Sequence, residues 1–481
     1  MAHPHVTMQP GPAGIPPAAG EELRTAFARI RAEHEIPGEF PEPVQSESER
    51  IATGLTLPER DERAVEFVTI DPEGSMDLDQ ALCIEPSEDG YRVRYAIADV
   101  PGIVPHDGEI AAEALRRGLT VYCPDERSPL HPPVLSEGAA SLLPEEDRPA
   151  LVWDLLLDGA GRLQQTDLYR AAVRSRRRYT YVEAQAAIDD GTAEQNLALL
   201  REVGEHRIAL ERERGGATLP MPEQVVEQDG EGFTLQFRPL LPAEDWNAQI
   251  SLLAGMAAAE LMLRGGIGIL RTMPDPEPQD VDRLRRQARA LDVQWADDQD
   301  YGDFLATLDP ANGLHLYLVH ESTMLFRGAG YTVFDGAAPE VDSHSAIAAP
   351  YAHVTAPLRR LVDRYGLEIC LALAAGEEVP AWLREALPTV PEVMQEADQR
   401  AKAVERACVD AVEAAALAPH AGEEFEATAV DVQPEKQRVE VQLLNPAVIE
   451  RASGVAEPGQ TVRVRLEAAS VAEGTVELTV L

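Results

Sequence analysis

Three aspartates, Asp71, Asp77 and Asp79, stand at the end of an apolar run, Phe67 to Ile70, and across a short turn containing Gly74. Carboxylates crowded together repel one another, and a divalent cation relieves the repulsion by taking oxygen ligands from several of them. The spacing makes a candidate metal site. An acidic loop facing water would have the same composition in a chain with 83 Asp and Glu. Four cysteines, Cys83, Cys123, Cys370 and Cys408, are scattered without a CxxC pair. Neither a zinc ribbon nor a disulfide framework is expected from them, and a cytoplasmic setting is.

The elements that must position such a site are readable in outline. Residues 1–20, rich in Pro, Gly and Ala, read as a flexible tail without a secretory leader. Helical spacing predicts helices over 21–35 and 45–53, either a helix-turn-helix accessory or a packing cap. Strands are expected at 67–70, 81–85, 91–98, 120–122 and 151–158, with a helix at 111–118. Helices follow over 247–263, 280–291, 358–374 and 392–416. Beyond 420 the pattern turns to short alternating strands, 425–432, 438–443, 461–467 and 475–481, which suit a small five-stranded barrel of the OB type. Three parts result: a helical N-terminal segment (1–60), a large central region (61–420) and a terminal barrel (421–481).

At 481 residues the chain exceeds one core, and 44% hydrophobic residues argue against disorder. The longest apolar stretch, Ile250 to Ala259, is too short to span a bilayer. A formal net charge of −41 argues against general, salt-driven binding to nucleic acid but allows a local basic channel. The cations do bunch, at Arg174/Arg176/Arg177/Arg178, at Arg283/Arg285/Arg286/Arg289 and at Arg359/Arg360/Arg364. By themselves the first two clusters read as solvated faces or partners for surplus acids.

Several blocks, in order, resemble the ribonuclease II/R (RNB) exoribonucleases. Phe67-Val-Thr-Ile-Asp71 through Asp77-Leu-Asp79 is similar to the family's signature, and Ile97-Ala-Asp-Val100 follows. Arg117-Gly-Leu-Thr-Val-Tyr-Cys-Pro124 and Leu130-His-Pro-Pro-Val-Leu-Ser136 look like its Tyr-containing loop. Arg174-Ser-Arg-Arg-Arg-Tyr-Thr-Tyr181, Tyr351-Ala-His-Val-Thr-Ala-Pro-Leu-Arg-Arg-Leu-Val-Asp363 and Glu405-Arg406 complete the set. The resemblance implies an α+β fold: a catalytic domain with a mixed β-sheet core wrapped by helices, a small helical N-terminal segment and a C-terminal OB-fold barrel. It also implies a cytoplasmic, hydrolytic, Mg²⁺-dependent (Mn²⁺ being an alternative) 3′→5′ exoribonuclease that releases nucleoside 5′-monophosphates from single-stranded RNA, acting as a monomer without a membrane.

Carried over onto this sequence, Asp71, Asp77 and Asp79 match metal-binding aspartates, with Asp79 also catalytic. Arg359 matches the arginine on the scissile phosphate, with Arg360 beside it. Tyr122 and Glu405 match residues that contact the RNA 3′ end. Read alone, Asp99 and Asp363 suit capping or arginine-pairing roles. Three departures stand out. Gln80 replaces a fourth acidic residue and is expected to raise the metal requirement, or to leave an RNA-binding protein with weakened chemistry. Ile267 stands where an aromatic would stack with Tyr122. Too few residues precede the resemblance for paired cold-shock barrels, so a more open channel entrance is expected.

Overall fold

The computed structural model describes residues 17–221, 223–229, 232–238, 240–444 and 446–481. The expected flexible tail lies outside them up to residue 16.

The central region is built on strands β1 (Phe67–Ile70), β2 (Gln80–Ser87), β3 (Gly90–Ala98), β4 (Asp147–Asp158) and β5 (Leu163–Tyr179). The mixed sheet closes into a barrel: β1 to β5 pair in sequence order, and β1 returns to lie parallel to the end of β5, Phe67 opposite Ser175 and Ile70 opposite Tyr179. Alternation separates two faces. Small residues such as Ala81, Ala96 and Val152 oppose one another across β2, β3 and β4 and fill the narrow interior. Large ones, Leu82, Tyr95 and Trp153, oppose one another on the other face, in a core shared with helices α3 (Gln195–Glu213) and α4 (Pro242–Gly265). The strands are therefore buried on both sides.

Helix α5 (Leu361–Ala375) packs on α4, and the long helix α6 (Val390–Leu417) leads to the terminal barrel. That barrel comprises β6 (Glu424–Gln433), β7 (Arg438–Leu444), β8 (Ala447–Ser453), β9 (Thr461–Ser470) and β10 (Thr475–Val480), closed in the order β6-β7-β8-β10-β9. Its core is not its own. Val441, Leu443 and Leu466 share a cluster with Val404, Cys408 and Ala411 of α6 and with Leu23 and Phe27 of the N-terminal helix α1 (Pro17–Glu33). The second N-terminal helix, α2 (Glu42–Thr53), packs instead on the helix Glu109–Arg117. The two N-terminal helices thus pack on different partners.

The 17-residue strand β5, helix α3 and strand β8 are not among the elements expected from the sequence; the Arg-rich end of β5 reads as a charge run. The helix expected from residue 358 begins at Leu361, because side chains capture the backbone before it. The Ala356 amide donates to Asp363 Oδ1 at 2.6 Å and the Leu358 amide to Asp79 Oδ1 at 2.8 Å, while Pro357 has no N–H to give. Helix α4 is bare at Gly255, where a Cβ would overlap the Tyr351 ring, and the Ala352 amide donates to the Gly255 carbonyl at 3.1 Å. This close approach seats the segment that carries Thr355 to Arg360.

Candidate active site

The acidic loop starts where β1 ends and finishes where β2 begins. Asp71 continues the parallel ladder, its amide donating to the Tyr179 carbonyl at 3.1 Å, and Asp79 is anchored by the Ala98 amide on its carbonyl. Between them, buried Ser141 holds the loop: it accepts from the Leu78 amide at 2.9 Å and donates to the Met76 carbonyl at 2.6 Å. Arg178, at the end of β5, donates to the Ser75 carbonyl.

Into this loop projects the turn before α5. Asp79, 1% exposed, accepts the Leu358 amide on Oδ1 and Arg359 Nε on Oδ2, each at 2.8 Å. Burial pushes the Asp79 carboxyl up to about 7, against the pull of Arg359 and the Leu358 amide. Burial also works against the Arg359 charge, but Asp79, Tyr122 and Asp77 outweigh it and hold the guanidinium well above its ordinary range. The arginine stays charged, and the carboxylate is the member of the pair that titrates. Asp71 is likewise pushed up to about 6 by burial, with Arg359 and Arg178 opposing and Asp77 assisting. Asp77 accepts from Arg127 at 2.8 Å and from the Tyr122 hydroxyl at 3.2 Å.

The three aspartates thus gather around Arg359, each in a different state. Asp79 is committed to Arg359 and Asp77 to Arg127 and Tyr122, whereas Asp71 Oδ2 is buried without a hydrogen-bond partner among the described residues. Among those residues no group of three His, Cys, Asp or Glu side chains is set to hold a metal ion. Asp71 and Asp77 are the carboxylates there that could offer a cation oxygen ligands of the hard type Mg²⁺ prefers.

Arg360 does not share the acidic loop. It makes a bidentate pair with buried Asp363, both bonds 2.9 Å, and so orients its own turn. Gln80 donates through Nε2 to the Thr355 carbonyl at 2.5 Å, tying β2 to the turn. Glu405 lies on α6, which packs on the strand Val121–Tyr122. Its Oε1 is buried without a partner among the described residues, and burial pushes the carboxyl up to about 7. Ile267 is buried in the main core at the start of a strand. Asp99 caps a turn through the Gly102 amide and pairs with Arg170 at 2.9 Å.

Sequence reasoning missed Arg127, Ser141, Thr355 and Arg178. Arg178 and Thr355 lie inside the blocks quoted above and Arg127 between two of them, but nothing in the residue types separates the two arginines from ordinary surface charge. Ser141 and Thr355 act through one hydroxyl and one carbonyl, which leave no trace in spacing.

A closed mixed barrel carrying an acidic β1–β2 loop, completed by an arginine turn and followed by a small OB-type barrel, defines the RNB class of architecture. The RNB domain model matches residues 59–370, and the model of the RNase II-type exonuclease C-terminal S1 domain matches 423–481. The chain belongs to the RNB family. Ribonuclease R of Aquifex aeolicus is 28% identical over 429 residues, covering 84% of this chain and 60% of that protein. This chain spans less than two thirds of other matched ribonuclease R proteins as well. Among solved structures, Mycoplasma genitalium RNase R in complex with ribose-methylated single-stranded RNA superposes with a TM-score of 0.85 at 18% identity, covering 96% of this chain and 78% of that one. Yeast Ssd1, a pseudonuclease, superposes with a TM-score of 0.67 at 13% identity, covering 85% and 52%. At such identities the likeness concerns the fold. Among the described residues no helix is long and apolar enough to cross a membrane.

Proposed function

We propose that this chain is a hydrolytic, Mg²⁺-dependent exoribonuclease that shortens single-stranded RNA from its 3′ end and releases nucleoside 5′-monophosphates. The observation that carries the reading is the buried Asp79–Arg359 pair set beside Asp71 and Asp77. A phosphodiester is anionic, so its cleavage needs positive charge held where water is scarce. Arg359 meets Asp79 through Nε, and its terminal nitrogens are then available for phosphate oxygens in a planar fork. Asp79 fixes that fork and accepts a proton readily, its carboxyl sitting near neutrality. Asp71 and Asp77 would hold the cation, which when bound lowers the pKa of water and neutralises charge on the transferring phosphoryl group. Tyr122, anchored on Asp77, would offer its ring to a terminal base, with Glu405 contacting the same end.

A second reading, RNA binding with weakened chemistry, is favoured by one observation: Gln80 supplies a neutral amide already spent on Thr355. One experiment separates the two. RNAs labelled at the 5′ end, with and without 3′ tails, are incubated with Mg²⁺, with EDTA and with Asp79→Asn, and the products are sized. Stepwise loss of single nucleotides that stops with EDTA and with Asp79→Asn supports hydrolysis. Retention of RNA without shortening supports the second reading.

A further inference from the structure

In a chain carrying 83 acidic residues against 42 Lys and Arg, an arginine without a carboxylate partner is out of place. Two arginines that hydrogen-bond to no carboxylate among the described residues line one cleft of about 480 Å³ on α3 and α4, near the turn that begins β5. That turn lies at the opposite end of β5 from Tyr179 and Asp71. Arg207 is 4% exposed, and its donors reach only the Gly161 carbonyl at 3.2 Å and Met256 Sδ at 3.5 Å. Its Nε is buried without a partner among the described residues. Arg214 reaches the Ile347 carbonyl through Nε at 3.2 Å, and its Nη2 is likewise buried and unpartnered among the described residues. Burial and the neighbouring Arg214 hold Arg207 down to about 10, so it is still charged at neutral pH.

One nearby acid, Glu211, favours the charge of both arginines from a distance but gives its hydrogen bonds to neutral donors, accepting from Thr218 and Gln249. At the rim Glu213 pairs with Arg162 at 2.7 Å, and Glu260 pairs with Arg264 at 3.4 Å. Two buried arginines sharing one carboxylate leave a positive charge uncompensated, which is costly, and an arginine fork is shaped for phosphate oxygens. The rest of the lining is apolar, with Leu163, Leu210, Leu253, Met256 and Pro350. Such a wall takes a flat or aliphatic group beside an anion.

We propose that this cleft is a second ligand site, which takes a small phosphomonoester whose organic part packs on the apolar wall while Arg207 and Arg214 hold its phosphate. Nucleoside monophosphates have this chemistry. The inference stands on the cleft alone and does not require the nuclease reading.

The test is thermal shift and calorimetric titration of the full chain in EDTA, with AMP, adenosine and inorganic phosphate as probes. AMP is expected to bind about tenfold or more tightly than phosphate, and adenosine not to bind. Arg214→Gln should weaken AMP about tenfold or more, whereas Arg359→Ala should leave AMP binding intact. Because Arg214→Gln also alters packing, Leu210→Glu provides a second arm. Its carboxylate should satisfy the arginines, raise the ligand-free Tm and abolish the AMP response. No AMP binding by the wild type, phosphate binding as tight as AMP, or AMP binding lost in Arg359→Ala but kept in Arg214→Gln would each overturn the proposal. So would Leu210→Glu that still binds AMP.

Discussion

Gln80 shows how one side chain can serve position and chemistry at once. Its amide donates to the Thr355 carbonyl, which an aspartate, having no proton to give, would repel. Gln80→Asp is therefore expected to cost about 1–3 kcal/mol, seen as a lower urea midpoint at unchanged slope. An unchanged midpoint would mean the amide is not a strut, and the residue would then be read through metal affinity alone. Arg359 carries a pH-dependent prediction. The Asp79 carboxyl, ordinarily near 3.8, sits near 7 in the fold. A carboxyl raised in the folded state favours folding below its unfolded pKa, and that contribution is lost as pH rises through the folded one. Arg359→Ala removes the charge that opposes this rise. The Tm difference between wild type and Arg359→Ala, measured in EDTA, should be larger at pH 8 than at pH 5.5. In the cleavage assay the same variant should lose a hundredfold or so in rate, about 3 kcal/mol of barrier.

Among the elements, the acidic loop depends on Ser141, which belongs to neither strand flanking it. Ser141→Ala leaves the Leu78 amide and the Met76 carbonyl without their partner and should cost about 1–3 kcal/mol. Hydrogen exchange at Leu78 should speed up while exchange in β3 is unchanged; equal acceleration in both would mean the whole barrel has loosened. Some elements could be read from the sequence pattern, β2 as a short apolar run and β3 as an alternation. Strand β5 could not. Its Arg174, Arg176 and Arg178 recur at every second position, as a strand requires, but consecutive charges hide the period. The structure explains them: Arg174 pairs with Asp147, Arg176 with Glu66, and Arg178 reaches Ser75. At the site, residue types and spacing were enough to group Asp71, Asp77 and Asp79, whereas Arg359 was singled out only by the family resemblance. The Asp79–Arg359 bond, the commitment of Arg360 to Asp363 and the start of α5 at Leu361 depend on where the chain turns, which composition does not record.

Over the whole molecule, the terminal barrel and the central region share α6. Removing residues 421–481 would strip the cover from Val404, Cys408, Ala411 and Ala415. Exposed apolar area costs roughly 25 cal/mol per Å², so the truncated chain should unfold at a lower temperature and associate in solution. A calorimetric scan showing a separate, unshifted transition for the remainder would instead make the barrel an independent unit. RNA binding by so acidic a chain should be local, with few phosphates neutralised and a correspondingly shallow dependence on salt.

The contact between Asp79 and Arg359 joins residues 280 positions apart in the chain. Synthesis proceeds from the N-terminus at roughly 5–20 residues per second. A nascent polypeptide therefore carries the acidic loop for many seconds before its arginine leaves the ribosome. During that interval the half-made protein cannot form this pair beside the message that encodes it.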